Sequence, residues 1–149
     1  MKIIEPTLLL DIQKCKSNIE KMCRKAKEND LLFRPHFKTH QSLEIGRWFK
    51  DHGVKQITVS SLNMAMYFME EWKDITVAFP TNILEIDKIN KIASSIHLNL
   101  LLEDLKTIQK LGENTKFNIG IFIKIDVGYH RTGIDPVDIE KIDKLLTKL

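Results

Sequence analysis

The chain has 149 residues, of which 43% are hydrophobic and 29% are charged; this composition is typical of a folded protein and excludes a disordered or collagen-like chain. The 23 Lys and Arg against 20 Asp and Glu give a net charge of +3, and both signs are spread along the sequence, which does not indicate a nucleic-acid-binding surface. The length fits about one domain, over 1–149, and is too short for a complete eight-stranded (β/α) barrel of roughly 250 residues.

The cysteines and the apolar runs of the sequence indicate the cellular compartment in which the protein is expected. Cys15 and Cys23 are eight residues apart on one predicted helix, about 12 Å along its axis, which is beyond disulfide reach and favours free thiols in a reducing environment. No apolar run approaches the roughly 18 residues of a membrane span, and the first residues lack a signal-peptide core. We therefore expect a cytoplasmic protein without a membrane partner.

Strands and helices are predicted to alternate along the chain. Asp11 stands at the N-cap position of an amphipathic helix over 12–29. The pattern then predicts, in order, a strand over 31–35, a helix over 42–52 closed by Gly53, a strand over 56–60, a helix over 62–72, a strand over 75–80, a helix over 83–93, a strand over 96–102, a helix over 103–111, a strand over 117–126 and a helix over 137–149. This alternation indicates an α/β fold of about five parallel βαβ units.

One face of the predicted strands is apolar and the other carries polar groups. The polar set includes Arg34, His36, Thr58, Thr76, Asn99, Lys124 and Asp126. If helices cover the apolar face, the polar face lines a concave interior, as in a partial TIM (β/α) barrel whose site lies at the carboxyl ends of the strands. An antiparallel sheet with a solvated face is the alternative, and the helical connections argue against it.

The densest polar cluster follows the first predicted strand, over 34–41. Lys38 lies within it, and a lysine becomes nucleophilic when burial or neighbouring positive charge lowers its pKa. Because Arg34 and His36 share its strand face, Lys38 is the candidate for a Schiff base. The spacing of His36 and His40 would suit zinc on a helix, but Pro35 breaks a helix, so we predict no metal site here.

A second cluster, over 124–133, follows the last predicted strand. Lys124 and Asp126 share the inward face and are predicted to form a buried pair of opposite charges. Arg131 then enters the mouth of the barrel, where its planar guanidinium suits a phenolate, carboxylate or phosphate oxygen. The sequence lacks the motifs of serine hydrolases, structural zinc sites and dinucleotide-binding domains.

Three segments, 6–11, 34–40 and 124–133, resemble in this order the amino-terminal half of the D-threonine aldolase and D-serine dehydratase family, which belongs to the alanine racemase-like, fold-type III pyridoxal-phosphate enzymes. The Pro-His-x-Lys-Thr-His motif at 35–40 is the most specific part. The resemblance implies that Lys38 holds pyridoxal 5'-phosphate (PLP) and that Arg131 lies near the phenolic oxygen of the cofactor. Lys124 would help to position Arg131, and His36 would lie near the cofactor.

The implied activity is that of a lyase on D-amino acids. It would cleave a β-hydroxy D-amino acid to glycine and an aldehyde, or dehydrate D-serine to pyruvate and ammonia; the sequence does not choose between these reactions or racemisation. Complete members of the family carry further barrel strands and a β domain with divalent-metal ligands, neither of which is in this chain. We therefore expect a fragment or a truncated product, and the open sheet edges favour a homo-oligomer, such as a dimer. A non-catalytic PLP-binding protein and an inactive fragment are the alternatives.

Overall fold

The structure, a computed structural model, describes residues 3–149, which form two compact units. The first unit comprises the described residues up to Phe33 together with Ser42–Val54. It contains α1 (Ile12–Glu28) and α2 (Leu43–Asp51). Both predicted helices are confirmed, and the cysteines on α1 are free thiols.

Local hydrogen bonds fix the ends of these two helices. The Asp11 carboxylate accepts a hydrogen bond from the Lys14 amide at 3.0 Å, as its predicted N-cap position requires. The Ser42 hydroxyl accepts one from the Ile45 amide at 3.3 Å. After α2, Gly53 adopts a φ of +82°, a conformation that glycine reaches without strain.

The second unit, Arg34–Gln41 and Lys55–Leu149, contains a parallel sheet. Its elements are β1 (Gln56–Val59), α3 (Leu62–Phe68), β2 (Asp74–Pro80), α4 (Ile86–Ala93), β3 (His97–Leu102), α5 (Leu105–Asn114), β4 (Gly120–Ile123) and α6 (Ile139–Leu146), with 3₁₀ turns at Phe37–Thr39 and Ile83–Glu85. The strand order is β1-β2-β3-β4, and all neighbours are parallel. This confirms the predicted α/β partial barrel and excludes the antiparallel alternative.

The core of the second unit lies on the apolar face of the sheet. The strand residues on this face are at most 5% exposed; they are Ile57, Val59, Ile75, Val77, Leu98, Leu100 and Leu102. Buried helix residues of the same unit, such as Phe68, Ile89, Ile108 and Leu145, complete the core. The predicted alternation is thus confirmed, since burial of apolar side chains drives this face inward.

The first predicted strand, over 31–35, does not form. Its end makes a single parallel bridge, between His36 and Thr58, and the Thr58 amide donates to the Pro35 carbonyl at 2.8 Å. A strand requires repeated pairing with a neighbour, which this segment lacks beyond the one bridge. The sheet therefore has four strands, with the segment at Pro35 and His36 as an extended edge beside β1.

Several other ends differ from the prediction. The predicted strand over 117–126 is ordered as a strand only over Gly120–Ile123. The predicted helix over 103–111 begins at Leu105, because the carboxylate of Asp104 caps it by accepting from the Thr107 amide at 2.8 Å. This helix ends three residues later than predicted, at Asn114, whereas the helices predicted over 62–72 and 137–149 are shorter than predicted. Over residues 3–149, no helix combines the length and apolarity that crossing a membrane requires.

Candidate functional site

Lys38 lies in the 3₁₀ turn that follows the extended edge of the second unit. Three contacts hold this turn. The Phe37 side chain is fully buried, with its ring centroid 5.1 Å from that of Phe68 and 5.2 Å from that of Trp72. His36 precedes the turn, and its Nδ1 accepts a hydrogen bond from the Lys38 amide at 3.2 Å. The turn thus buries Phe37 and leaves the neighbouring Lys38 side chain exposed.

Arg34 does not supply free positive charge to Lys38. Its guanidinium donates to both carboxylate oxygens of Asp74, at 2.7 and 3.1 Å, so the two charges compensate each other. Asp74 has a second hydrogen-bond partner, the side-chain amide of Asn99, which donates to Asp74 Oδ1 at 2.9 Å. Arg34 is therefore held in an ion pair, and the effect predicted for it on Lys38 stays a prediction.

His36 does not supply positive charge either. Burial lowers the pKa of the His36 imidazole, and the positive charge of Lys38 lowers it further. Since Nδ1 accepts the Lys38 amide hydrogen bond, the neutral ring carries its proton on Nε2. Lys38 is also exposed rather than desolvated. The role of Lys38 as the Schiff-base lysine stays a prediction.

The cluster over 124–133 forms a loop after β4. Lys124 is half-buried, and its ammonium donates a short hydrogen bond to the Thr132 hydroxyl. Asp126 instead faces the loop backbone, where its Oδ1 accepts from the amides of Gly128, Tyr129 and His130 at 2.9 to 3.0 Å. The predicted ion pair between Lys124 and Asp126 is therefore wrong, because each side chain has a different partner.

Arg131 lies in this loop and is exposed. Its guanidinium carbon is 5.3 Å from the centroid of the Tyr129 ring, a distance typical of cation–π contact. The backbone amides that donate to Asp126 lower the pKa of its carboxyl, and the His130 amide has the largest effect. The loop is thus fixed by hydrogen bonds on both sides of Arg131, which leaves the guanidinium available to an anionic ligand.

Asp74 and Glu103 are absent from the predicted inward polar set, whereas Asn99 and Thr76 belong to it without their surroundings being indicated by the sequence. Asp74 was placed outside the strand that it begins, and its carboxylate holds both Arg34 and Asn99. Asn99 was predicted to face inward, but nothing in its surroundings identified its partner. Thr76 Oγ1 and Glu103 Oε2 are buried oxygens without a hydrogen-bond partner among the described residues. Alternation along β2 and β3 is the signal that points to such inward polar groups.

Gly120 leaves room for the Asn99 side chain. A Cβ at this position would lie 2.0 Å from Asn99 Oδ1, far inside van der Waals contact. Glycine is therefore required where β4 passes Asn99. As for metals, no group of three or more His, Cys, Asp or Glu side chains over residues 3–149 is arranged to hold an ion.

Comparison with known proteins identifies relatives. A family model described as alanine racemase, N-terminal domain, matches residues 10–149. A D-serine dehydratase of Dictyostelium discoideum is 30% identical over 144 residues, which are 88% of this chain and 36% of that protein. A D-serine dehydratase of Schizosaccharomyces pombe is 28% identical, over 87% of this chain and 34% of that protein.

Solved structures share the fold. A D-threonine aldolase from Filomicrobium marinum superposes with a TM-score of 0.89 at 20% identity, over 96% of this chain and 40% of that one. An alanine racemase-like protein from Idiomarina loihiensis gives a TM-score of 0.83 at 27% identity, over 96% and 40%. The chain spans about a third of the length of the two curated relatives. Because the family model covers nearly the whole sequence, as the resemblance predicted, the chain belongs to the alanine racemase N-terminal domain family.

Proposed function

We propose that this chain carries the cofactor-binding lysine of a PLP-dependent lyase acting on D-amino acids, and that Lys38 is this lysine. The observation that carries the proposal is the Phe37–Thr39 turn, which buries Phe37 and presents the adjacent Lys38 amine to solvent beside the sheet. Its support is the family membership, together with curated relatives that are D-serine dehydratases. D-serine dehydration is thus the first activity to test, and D-threonine cleavage the second.

The donor groups of this unit fit PLP. An aldehyde requires a primary amine, which Lys38 offers in exposed form. A phenolate or phosphate oxygen is bound well by a guanidinium or an ammonium group. Arg131 would hold the phenolic oxygen. Lys124, which donates a hydrogen bond to Thr132, would help to position that arginine. When bound, PLP supplies an electron sink for the α-carbon of an amino acid.

His36 would have a part in this arrangement as a hydrogen-bond donor. Its Nδ1 accepts from the Lys38 amide, so the proton of the neutral ring is held at Nε2. Such a ring donates a hydrogen bond through Nε2 and does not add a positive charge beside Lys38. His36 would therefore orient an acceptor atom of the ligand, while the cations are supplied by Lys124 and Arg131.

The test is covalent trapping of the cofactor. With PLP in excess, the chain should develop a visible absorbance band, and borohydride reduction should leave a phosphopyridoxyl group on the peptide that contains Lys38. Lys38→Ala should lose both the band and the labelled peptide. The control is Lys55→Ala. Lys55 is an exposed lysine just before β1, at the end of that strand opposite to the His36–Thr58 bridge that precedes Lys38. Equal absorbance and labelling in Lys38→Ala would contradict the proposal.

Binding of PLP without turnover is the second candidate function. The exposure of Lys38 favours it, because an amine open to solvent does not exclude water from a reacting ligand. The two candidates are separated by adding D-serine or D-threonine to the PLP-loaded protein. Formation of pyruvate and ammonia, or of glycine and an aldehyde, supports the lyase; labelling of Lys38 with no product supports the binding protein.

A further inference from the structure

The segment that carries Lys38 has little backbone pairing with the sheet. It forms one parallel bridge, between His36 and Thr58, and one ladder hydrogen bond, from the Thr58 amide to the Pro35 carbonyl. A single bridge is weak support for an edge segment, since strand pairing gains stability from repeated bonds. Other contacts must therefore fix the position of this segment beside β1.

Arg34 provides such contacts through its side chain. The guanidinium reaches past β1 to Asp74 at the start of β2, where it donates to both carboxylate oxygens, and it also donates to the Ile57 carbonyl at 3.4 Å. The side chains of Arg34 and Asp74 are 24% and 32% exposed. A two-point, partly buried pair of this kind has fixed geometry, unlike a mobile surface ion pair.

Asp74 extends the connection into the sheet. Its Oδ1 also accepts from the amide of Asn99 on β3, and Asn99 is only 5% exposed. The three side chains of Arg34, Asp74 and Asn99, here called the Arg34 network, thus join the extended edge to two interior strands. Arg34 itself lies four residues before Lys38 in the chain, and the buried Phe37 stands between them.

We propose that the Arg34 network positions the Lys38 turn on the sheet, so that Arg34 and Asp74 are positioning residues for the amine of Lys38. Arg34 acts through geometry, because Asp74 compensates its charge. The description of Lys38 as the cofactor-binding amine rests on the proposed function; the positioning itself rests only on the contacts above.

The first experiment measures amide hydrogen exchange in the 149-residue chain. The reporter is the Thr58 amide, whose partner is the Pro35 carbonyl, with the Gln41 amide, bonded to the Phe37 carbonyl at 2.9 Å, as a second reporter. In Arg34→Met and Asp74→Asn, exchange at these amides should accelerate about ten- to a hundredfold, the effect of losing charge-assisted hydrogen bonds. Amides of β3 should keep their protection.

Two further variants make the result specific. Arg34→Lys keeps the charge and loses the planar fork, so it should restore only part of the protection. Lys88→Met is the matched control, since it removes an ion pair of the same unit, Lys88 with Glu85, away from the Lys38 turn. Unchanged exchange at Thr58 and Gln41 in both Arg34→Met and Asp74→Asn would overturn the proposal, and so would equal acceleration throughout the sheet.

The second experiment measures the rate at which PLP and borohydride label Lys38. Arg34→Met and Asp74→Asn should lower this rate severalfold, Arg34→Lys should recover part of it, and Lys88→Met should leave it unchanged. An unaltered rate in the two network variants, despite faster exchange at Thr58, would show that the network does not position the amine. Failure to label Lys38 in the unsubstituted chain would contradict the proposed function, while hydrogen exchange would still decide whether the network holds the turn.

Discussion

His36 couples the Lys38 turn to pH. Because burial and the charge of Lys38 lower the pKa of His36 below its ordinary 6.5, the folded protein binds this proton less readily than the unfolded chain. The stability from this residue is therefore present above 6.5 and is lost as the pH falls from there through the folded pKa.

His36→Asn tests this coupling. Asparagine keeps an oxygen that can accept the Lys38 amide hydrogen bond, but it does not titrate. We expect urea unfolding to show a smaller loss of stability between neutral pH and about pH 5 in His36→Asn than in the unsubstituted chain. Identical pH dependence in the two proteins would show that His36 does not titrate abnormally.

Asp126 makes the loop over 124–133 sensitive to pH, as His36 does for the Lys38 turn. It accepts three backbone hydrogen bonds there, and these lower the pKa of its carboxyl. We expect exchange of the amides of Gly128, Tyr129 and His130 to accelerate about tenfold in Asp126→Ala, because each loses its acceptor.

Asp126→Asn is the control, since it keeps an acceptor oxygen, and its amides should exchange at rates closer to those of the unsubstituted chain. Acid should have the same effect as the alanine substitution: the carboxylate bonds are present above the ordinary pKa of 3.8 and are lost as the pH falls through the lower folded value. If Asp126→Ala leaves all three exchange rates unchanged, the side chain does not order the loop.

At the scale of one element, α3 depends on its cap. The Ser61 hydroxyl accepts from the Met64 amide at 3.2 Å, and the seven residues of the helix offer few internal bonds. Ser61→Ala should lower the free energy of unfolding by about 1 kcal/mol in urea denaturation. Ser61→Asp should retain most of it, because a carboxylate also caps a helix; equal losses in both variants would exclude the cap as the cause.

Caps of this kind explain which elements could be predicted. Asp11 and its hydrogen-bond partner Lys14 are three residues apart, so the local sequence is enough to predict where α1 begins. The failure over 31–35 has the opposite cause: strand formation there depends on a partner at Thr58, more than twenty residues later, which an apolar run does not reveal. The same holds for Arg34, whose partner Asp74 is forty residues away.

Across the whole molecule, buried apolar side chains are distributed unequally between the two units. Among residues 3–149 most of them lie in the second unit, and the first unit contains two, Ile19 and Val54. Because local stability follows burial, we expect the amides of β1, β2 and β3 to exchange more slowly than those of α1 and α2. Hydrogen exchange followed by mass spectrometry checks this order, and slower exchange in α1 than in β2 would contradict it.

The sequence indicates the residues of the candidate site only because they lie in two short motifs. These motifs contain Lys38, His36, Lys124 and Arg131, whose roles stay predictions. The sequence does not indicate their pairings, since Thr132 and not Asp126 is the partner of Lys124, and Asp74 compensates the charge of the neighbouring Arg34. Motifs specify which side chains are present, whereas three-dimensional neighbours decide which of them keep a free charge.

Because the Asn99 side chain fills the space beside Gly120, a substitution at Gly120 would reach Lys38 through the Arg34 network. A methyl group there, as in Gly120→Ala, would push the Asn99 amide away from Asp74 and weaken the hold on Arg34. A change of one carbon atom on β4, more than eighty positions along the chain from Lys38, would thereby alter how the amine is presented.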